Sequence, residues 1–242
     1  MRKVAVIQSN YIPWKGYFDV INDADVFIFY DDVQYTKNDW RNRNKLKSAD
    51  GACWITIPTG SDLNRLICEV ELQNNFWQMK HWKMINQLYC RTPYFKLYKE
   101  FFQYIYLDTT WGNLSELNQT LIRYISREFL GIKTEFQDSR DCRLQGSQLD
   151  RLLDLLKQVN ADLYISGPTA KAYIDNREER FQTEGIILEY KDYSGYPEYS
   201  QLYPPFEHSV SILDLLFNCG ADAGYYIWEW RTQNSPALVS IF

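Results

Sequence analysis

The chain has 242 residues, 45% hydrophobic and 24% charged, a size and composition that suit one large globular domain with a substantial core. Its net charge of −5 and pI near 5.2 exclude general nucleic-acid binding, which needs a basic footprint to displace counterions. Aromatic residues make up 17%, with 19 Tyr and 8 Trp, and such rings serve either a core or the wall of a sugar or nucleobase site.

Residues 3–7 are β-branched, continuous and ended by polar residues, which predicts a short buried strand. A polar loop follows, with Pro13 placed as an early helix residue, and 14–22 has a helical pattern weakened by Gly16. Residues 26–30 predict a second buried strand ending at Asp31 and Asp32. This strand–helix–strand opening is a βαβ unit and favours a parallel sheet. Residues 34–49 are polar, 54–57 predict a third strand closed by Pro58, and 67–72 alternate like a further strand. Three helices are expected at 76–90, 94–106 and 115–129, punctuated by Pro93 and Gly112, as a helical insertion over about 75–130. Strands are expected at 133–137, 163–166 and 186–190. An amphipathic helix carrying Leu149, Leu152, Leu153, Leu155 and Leu156 covers 148–159. Further helices are expected from 170 to 179, at 210–217 and at 225–230, with a Tyr- and Pro-rich loop over 193–205 and an unassigned tail after Thr232. The whole predicts an α/β fold with a mostly parallel, Rossmann-like sheet.

Five cysteines occur at scattered spacings without a Cys-x-x-Cys pair, so no zinc site or disulfide framework is expected. The apolar run at the N-terminus stops at Gln8, and no stretch reaches the roughly 18 apolar residues of a membrane span. A cytoplasmic protein is expected.

In open α/β sheets, ligands bind beyond the carboxyl ends of the strands. Residues 8–11, 31–34 and 166–169 all follow predicted strands, so they converge if those strands are parallel neighbours. These segments also carry a resemblance. The stretch Gln8-Ser9-Asn10-Tyr11-Ile12-Pro13-Trp14-Lys15-Gly16-Tyr17-Phe18-Asp19 resembles the opening signature of the WbqC-like protein family. Tyr30-Asp31-Asp32-Val33-Gln34-Tyr35, Trp40-Arg41-Asn42-Arg43-Asn44, Lys80-His81-Trp82, Ser166-Gly167-Pro168 and the segment from His208 to Asn218 are similar to further family segments. The likeness covers residues 3 to 220 and implies one WbqC-like α/β domain over 1–242. It also implies a setting in O-antigen and related surface-polysaccharide assembly. In that setting the expected activity is N-acyl or amino-acyl transfer to a nucleotide-linked amino sugar. The donor would be an acyl-CoA or acyl carrier, and the partner a small-molecule nucleotide sugar.

His208 and His81 are the only histidines and the natural general bases near neutral pH. Ser211 and Asp214 lie three apart at the start of a predicted helix, where they serve either a site or a simple cap. Asp31 and Asp32 close a strand, and extended backbone points them oppositely, so one of them faces a ligand. Asp32 is the catalytic candidate; magnesium would require phosphates as co-ligands. Arg41 and Arg43, with Asn42, suit bidentate phosphate recognition. Gln8, Asn10, Tyr11, Trp14, Gln34 and Gly167 complete the expected binding set. No P-loop, dinucleotide-binding or nucleophile-elbow motif is present. Two other classes stay open. Trp14-Lys15-Gly16-Tyr17 has the position of the His-x-Gly-His signature of nucleotidyl-transfer and adenylate-forming enzymes, with aromatics in place of both histidines. A non-catalytic sugar-nucleotide-binding protein would also use the aromatic surface.

Overall fold

The computed structural model describes residues 1–72, 74–174 and 177–233. Five parallel strands form the central sheet: β1 (Lys3–Ile7), β2 (Val26–Phe29), β5 (Glu135–Asp138), β6 (Leu163–Ser166) and β7 (Ile187–Tyr190), in the order β5-β2-β1-β6-β7. The strands β3 (Arg43–Ser48) and β4 (Gly51–Thr56) stand apart from it. Lys3-Val-Ala-Val-Ile7 is apolar almost throughout because it lies at the centre and both sheet faces are covered. Its side chains alternate between two cores. Val4 and Val6 join Val26, Ile28 and Tyr164 on the face covered by α5 (Gln148–Gln158). The five predicted leucines of α5 are all buried there, each worth roughly 1.5–3 kcal/mol of burial. Ala5, Phe27, Phe29, Leu163 and Ile165 join the other face, against α1 (Lys15–Asp23) and α8 (Ile212–Cys219).

The helices α2 (Phe76–Tyr89), α3 (Phe95–Gln103) and α4 (Leu114–Tyr124) lie where helices were expected. The last two run on into a turn of π-helix at Tyr104–Asp108 and Ile125–Phe129. Their buried residues, including Trp77, Trp82, Phe102 and Leu121, belong to the same core as α1 and α8.

Three expectations need correction. Residues 54–57 do not add to the sheet. Gly51–Thr56 pairs antiparallel with Arg43–Ser48 as a separate hairpin, and β3 lies within the polar stretch. Its alternation is hidden because the half-exposed positions are Arg43 and Lys45, with Asn44 and Leu46 buried between them. Residues 67–72 are a 3₁₀ turn, Ile67–Glu69, with an isolated bridge from Glu71 to Asn113. The alternation there reflects burial of Ile67, Val70 and Leu72 against the helices rather than strand pairing. The single helix expected over 170–179 is α6 (Lys171–Ile174) and α7 (Glu179–Thr183). Most of the unassigned tail after Thr232 lies outside the described residues; α9 (Trp230–Gln233) ends the described chain.

Long-range polar contacts tie the far C-terminal segments to α1. Asp19 is fully buried and takes both terminal nitrogens of Arg231 at 2.9 and 2.7 Å, Lys191 at 3.0 Å and the hydroxyl of Tyr196. A buried carboxylate is tolerated only with such pairing.

Candidate functional site

A cleft of about 1130 Å³ opens at the carboxyl edge of the sheet, beyond β1, β2 and β6. Ile7, Gln8, Tyr30, Ser166 and Gly167 form its base. Trp14 and Tyr17 from the start of α1, the segment Asp39–Trp40–Arg41, the first turn of α5 and Tyr193 form its walls. The predicted convergence of strand-end loops is therefore present.

The loop 8–13 is held from several directions. The amide of Tyr11 donates to the carbonyl of Trp40 at 2.9 Å. Asn44 Nδ2 donates to the carbonyls of Tyr11 and Ile12 at 3.0 and 2.9 Å. These bonds fix Ile12 at φ +37°, a conformation that a β-branched residue rarely adopts. Gln8 accepts from Arg41 Nη2 at 2.6 Å through its side chain and from the Tyr17 hydroxyl at 2.9 Å through its carbonyl. Asp39 pairs with Arg41 at 3.3 Å.

Of the expected site residues, Gln8, Asn10, Trp14, Arg41 and Gly167 line the cleft. Asp31 and Asp32 diverge as extended backbone requires. Asp31 is fully buried and accepts from the Ser9 amide at 2.7 Å, the Ser115 hydroxyl and Gln119 at 3.2 Å. It binds the β1 loop to α4 and does not line the cleft. Asp32 pairs with Arg151, a cleft residue, and accepts from Ser139. Its action on the cleft therefore runs through Arg151. Arg43 is separated from Arg41: its guanidinium lies 4.1 Å from the ring of Trp54. Asn42 is buried at the hairpin base and donates to the Ile57 carbonyl at 2.9 Å. Gln34 is exposed, away from the lining, and donates to the carbonyl of Leu63.

Neither histidine lines the cleft. His81 is buried between the Thr56 carbonyl at 3.1 Å and the Tyr11 hydroxyl at 2.8 Å, and Tyr106 lies 2.6 Å beyond Tyr11. The Thr56 carbonyl can only accept, so Nε2 carries the proton and Nδ1 accepts from Tyr11. Tyr106 then donates to Tyr11. Burial lowers His81 from 6.5 to about 4, which keeps it neutral at neutral pH. Tyr11 is thus a core residue rather than a lining one. His208 is exposed and packs edge-on against Phe206 at 4.6 Å, and desolvation and the nearby Lys15 lower its pKa. Ser211 caps α8 through the Leu213 amide at 3.3 Å. Asp214 is buried and accepts from Tyr199 and Gln201 at 2.8 Å each. Burial raises it from 3.8 to about 6.

The lining also contains residues outside the expected set, among them Tyr17, Tyr30, Asp39, Trp40, Arg151, Arg177 and Tyr193. The rule that pointed to the loops after β1, β2 and β6 also covers the connection from β5 to α5. Arg151 lies just past that connection, in the first turns of α5. Three buried side-chain atoms in the lining have no hydrogen-bond partner among the described residues: Asn10 Oδ1, Arg41 Nε and Arg151 Nε. Native structures seldom leave such groups unpaired unless a ligand or solvent uses them.

Among the described residues, no group of three His, Cys, Asp or Glu side chains is placed to hold a metal. The five thiols are free, and desolvation raises those of Cys53, Cys68, Cys142 and Cys219, the last to about 12. None of these four is thereby activated as a nucleophile. No helix among the described residues is long and apolar enough to cross a membrane.

The sequence profile of the WbqC-like protein family matches residues 8–226. The chain belongs to the WbqC-like family. It is 43% identical over 229 residues to the uncharacterized protein Rv1507c of Mycobacterium tuberculosis (strain ATCC 25618 / H37Rv), covering 94% of this chain and 98% of that one. No solved structure matches the chain. The WbqC-like span begins at Gln8 and takes in every lining residue of the cleft except Val6 and Ile7.

Proposed function

We propose that this cleft binds a nucleotide-linked sugar and that the protein is a transferase acting on it in the cytoplasmic assembly of surface polysaccharide. One observation carries the reading: Arg41, Arg151 and Arg177 all line a cleft walled by Trp14, Tyr17, Trp40 and Tyr193. Guanidinium groups suit phosphate oxygens, and the rings suit a base or a sugar face. Nε of Arg41 and Nε of Arg151 are buried without a hydrogen-bond partner among the described residues, which leaves donor capacity unused in the cleft wall. The proposed reaction is acyl or amino-acyl transfer from an acyl-CoA or acyl carrier to a sugar amine. The amine nitrogen attacks the acyl carbonyl, the thiolate leaves, and the ammonium proton needs an acceptor. Asp39 is the one carboxylate among the described lining residues and takes that proton in this reading. His208 and His81 are given no step, since neither lines the cleft.

A thermal-shift screen with UDP-, dTDP-, GDP- and CDP-sugars, with acyl-CoA and with ATP and Mg²⁺, tests the reading. A nucleotide sugar should raise Tm by mass action. Replacing Arg41, Arg151 or Arg177 by Ala should each weaken binding about 10- to 100-fold, as expected for one charged hydrogen-bonding group. A shift with ATP and Mg²⁺ alone would favour the nucleotidyl-transfer class instead. Binding of a nucleotide sugar without product from any donor would favour a sensor.

A further inference from the structure

Trp40 in the cleft lining and its neighbour Trp54 are not explained by packing. Trp40 and Trp54 are 41% and 43% exposed, and neither belongs to the two apolar cores. Their rings lie 5.6 Å apart at 36°. The cations of Arg43 and Lys45 lie over the Trp54 ring, 4.1 and 5.3 Å from its centroid. Trp40 itself lines the cleft.

The backbone under Trp40 is fixed although its ring is exposed. Its carbonyl accepts from Tyr11 at 2.9 Å, and its amide donates to Asp39 at 2.6 Å. The carbonyl of Arg41 accepts from Asn118 Nδ2 at 2.8 Å, and the Asn42 amide donates to Asp39 at 3.2 Å. An exposed indole on a pinned backbone, braced by a second indole, is a preorganised stacking surface. The next residue, Arg41, presents a guanidinium into the same cleft.

Resting on the cleft reading above, we infer that Trp40 and Arg41 form the nucleoside end of the site. The heterocyclic base stacks on the Trp40 ring, and the phosphate beside it meets Arg41. The positive charge of Arg43 and Lys45 beside Trp54 favours an anionic ligand there. This orientation directs the sugar end towards Ser166, Gly167 and Arg177, which line the part of the cleft beyond β6.

Calorimetric titration with UDP, ADP, GDP, CDP, dTDP and inorganic pyrophosphate tests the assignment. Wild-type protein should bind its best nucleoside diphosphate more tightly than pyrophosphate. Trp40→Ala should weaken that diphosphate about 10- to 100-fold, the range for one base on an aromatic side chain, and leave pyrophosphate unchanged. Trp40→Phe should restore most of the loss. Because Trp40 lies outside both cores, the Ala variant should unfold near the wild-type Tm. If Trp40→Ala binds the diphosphate as wild type does, or loses diphosphate and pyrophosphate equally, the Trp40 assignment fails while the cleft reading stands. If wild-type protein binds neither a diphosphate nor pyrophosphate, the cleft reading fails and takes the assignment with it.

Discussion

His81 shows how one residue's surroundings decide its role. Its two ring nitrogens are both engaged, one by a carbonyl and one by a tyrosine hydroxyl, inside the core. Protonation would leave Nδ1–H facing the Tyr11 hydroxyl, which is already hydrogen-bonded to Tyr106. The folded pKa near 4 lies below the unfolded value of 6.5, so the unfolded chain binds the extra proton first. The contribution of His81 is therefore full above pH 6.5 and falls as pH drops towards 4, by about 2 kcal/mol at pH 5. Asp214 acts in the opposite sense. Its folded pKa of about 6 exceeds the unfolded 3.8, so its contribution grows as pH falls from 6 to 3.8. A difference measurement separates the two. Urea unfolding of wild type and His81→Gln between pH 7.5 and 5 should show a shallower acid loss in the variant. Parallel pH curves would contradict the assignment. The sequence marked His81 as a candidate base because histidine is rare here. Its burial depends on Thr56 and Tyr11, residues 25 and 70 positions away, whose approach no local pattern reveals.

At the level of elements, α1 links fold and site most directly. Gly16 lies in its first turn, and a Cβ there would sit 2.3 Å from Trp14 Cζ2. The ring of Trp14 folds back over the helix only because Gly16 has no side chain. Gly16→Ala must displace that ring from the cleft wall, although Ala is the better helix former. Weaker nucleotide-sugar binding and an altered near-ultraviolet circular dichroism spectrum, with secondary structure retained, are expected. Unchanged affinity in a binding titration would show that Trp14 is not part of the ligand site. In the sequence Gly16 stands as a weak point in the helix and as the glycine of Trp14-Lys15-Gly16-Tyr17, and neither pattern shows its contact with the Trp14 ring. The hairpin β3–β4 was half legible: β4 carries Trp54-Ile55-Thr56, whereas β3 alternates basic residues with Asn44 and Leu46 and resembles a solvated loop. It is this hairpin, and not the parallel sheet, that places Arg43 under Trp54 and so divides the two arginines expected to act together.

At the scale of the whole molecule, parallel strands and the edge on which the cleft opens were legible from the opening βαβ unit and the polar residues after each strand. The strand order was not, because β5 and β6 reach β2 and β1 from more than a hundred residues away. Nor was the anchoring of the C-terminal segments, since Asp19 meets Lys191 and Arg231 across the chain. Both the architecture and the cleft follow from placing β1 at the centre, where its end and those of its neighbours β2 and β6 meet. A second hollow of about 380 Å³, lined by Cys68, Gln119, Arg123 and Arg140, offers a competing location for an anion. A crystal structure of the protein with the nucleotide sugar selected by thermal shift discriminates between them. The account predicts phosphate oxygens about 2.7–2.9 Å from guanidinium nitrogens of Arg41 and Arg151, as in charge-assisted hydrogen bonds, with the base against Trp40. Ligand density in the hollow beside Arg123 and Arg140, with the cleft at the carboxyl edge free of it, would contradict the account.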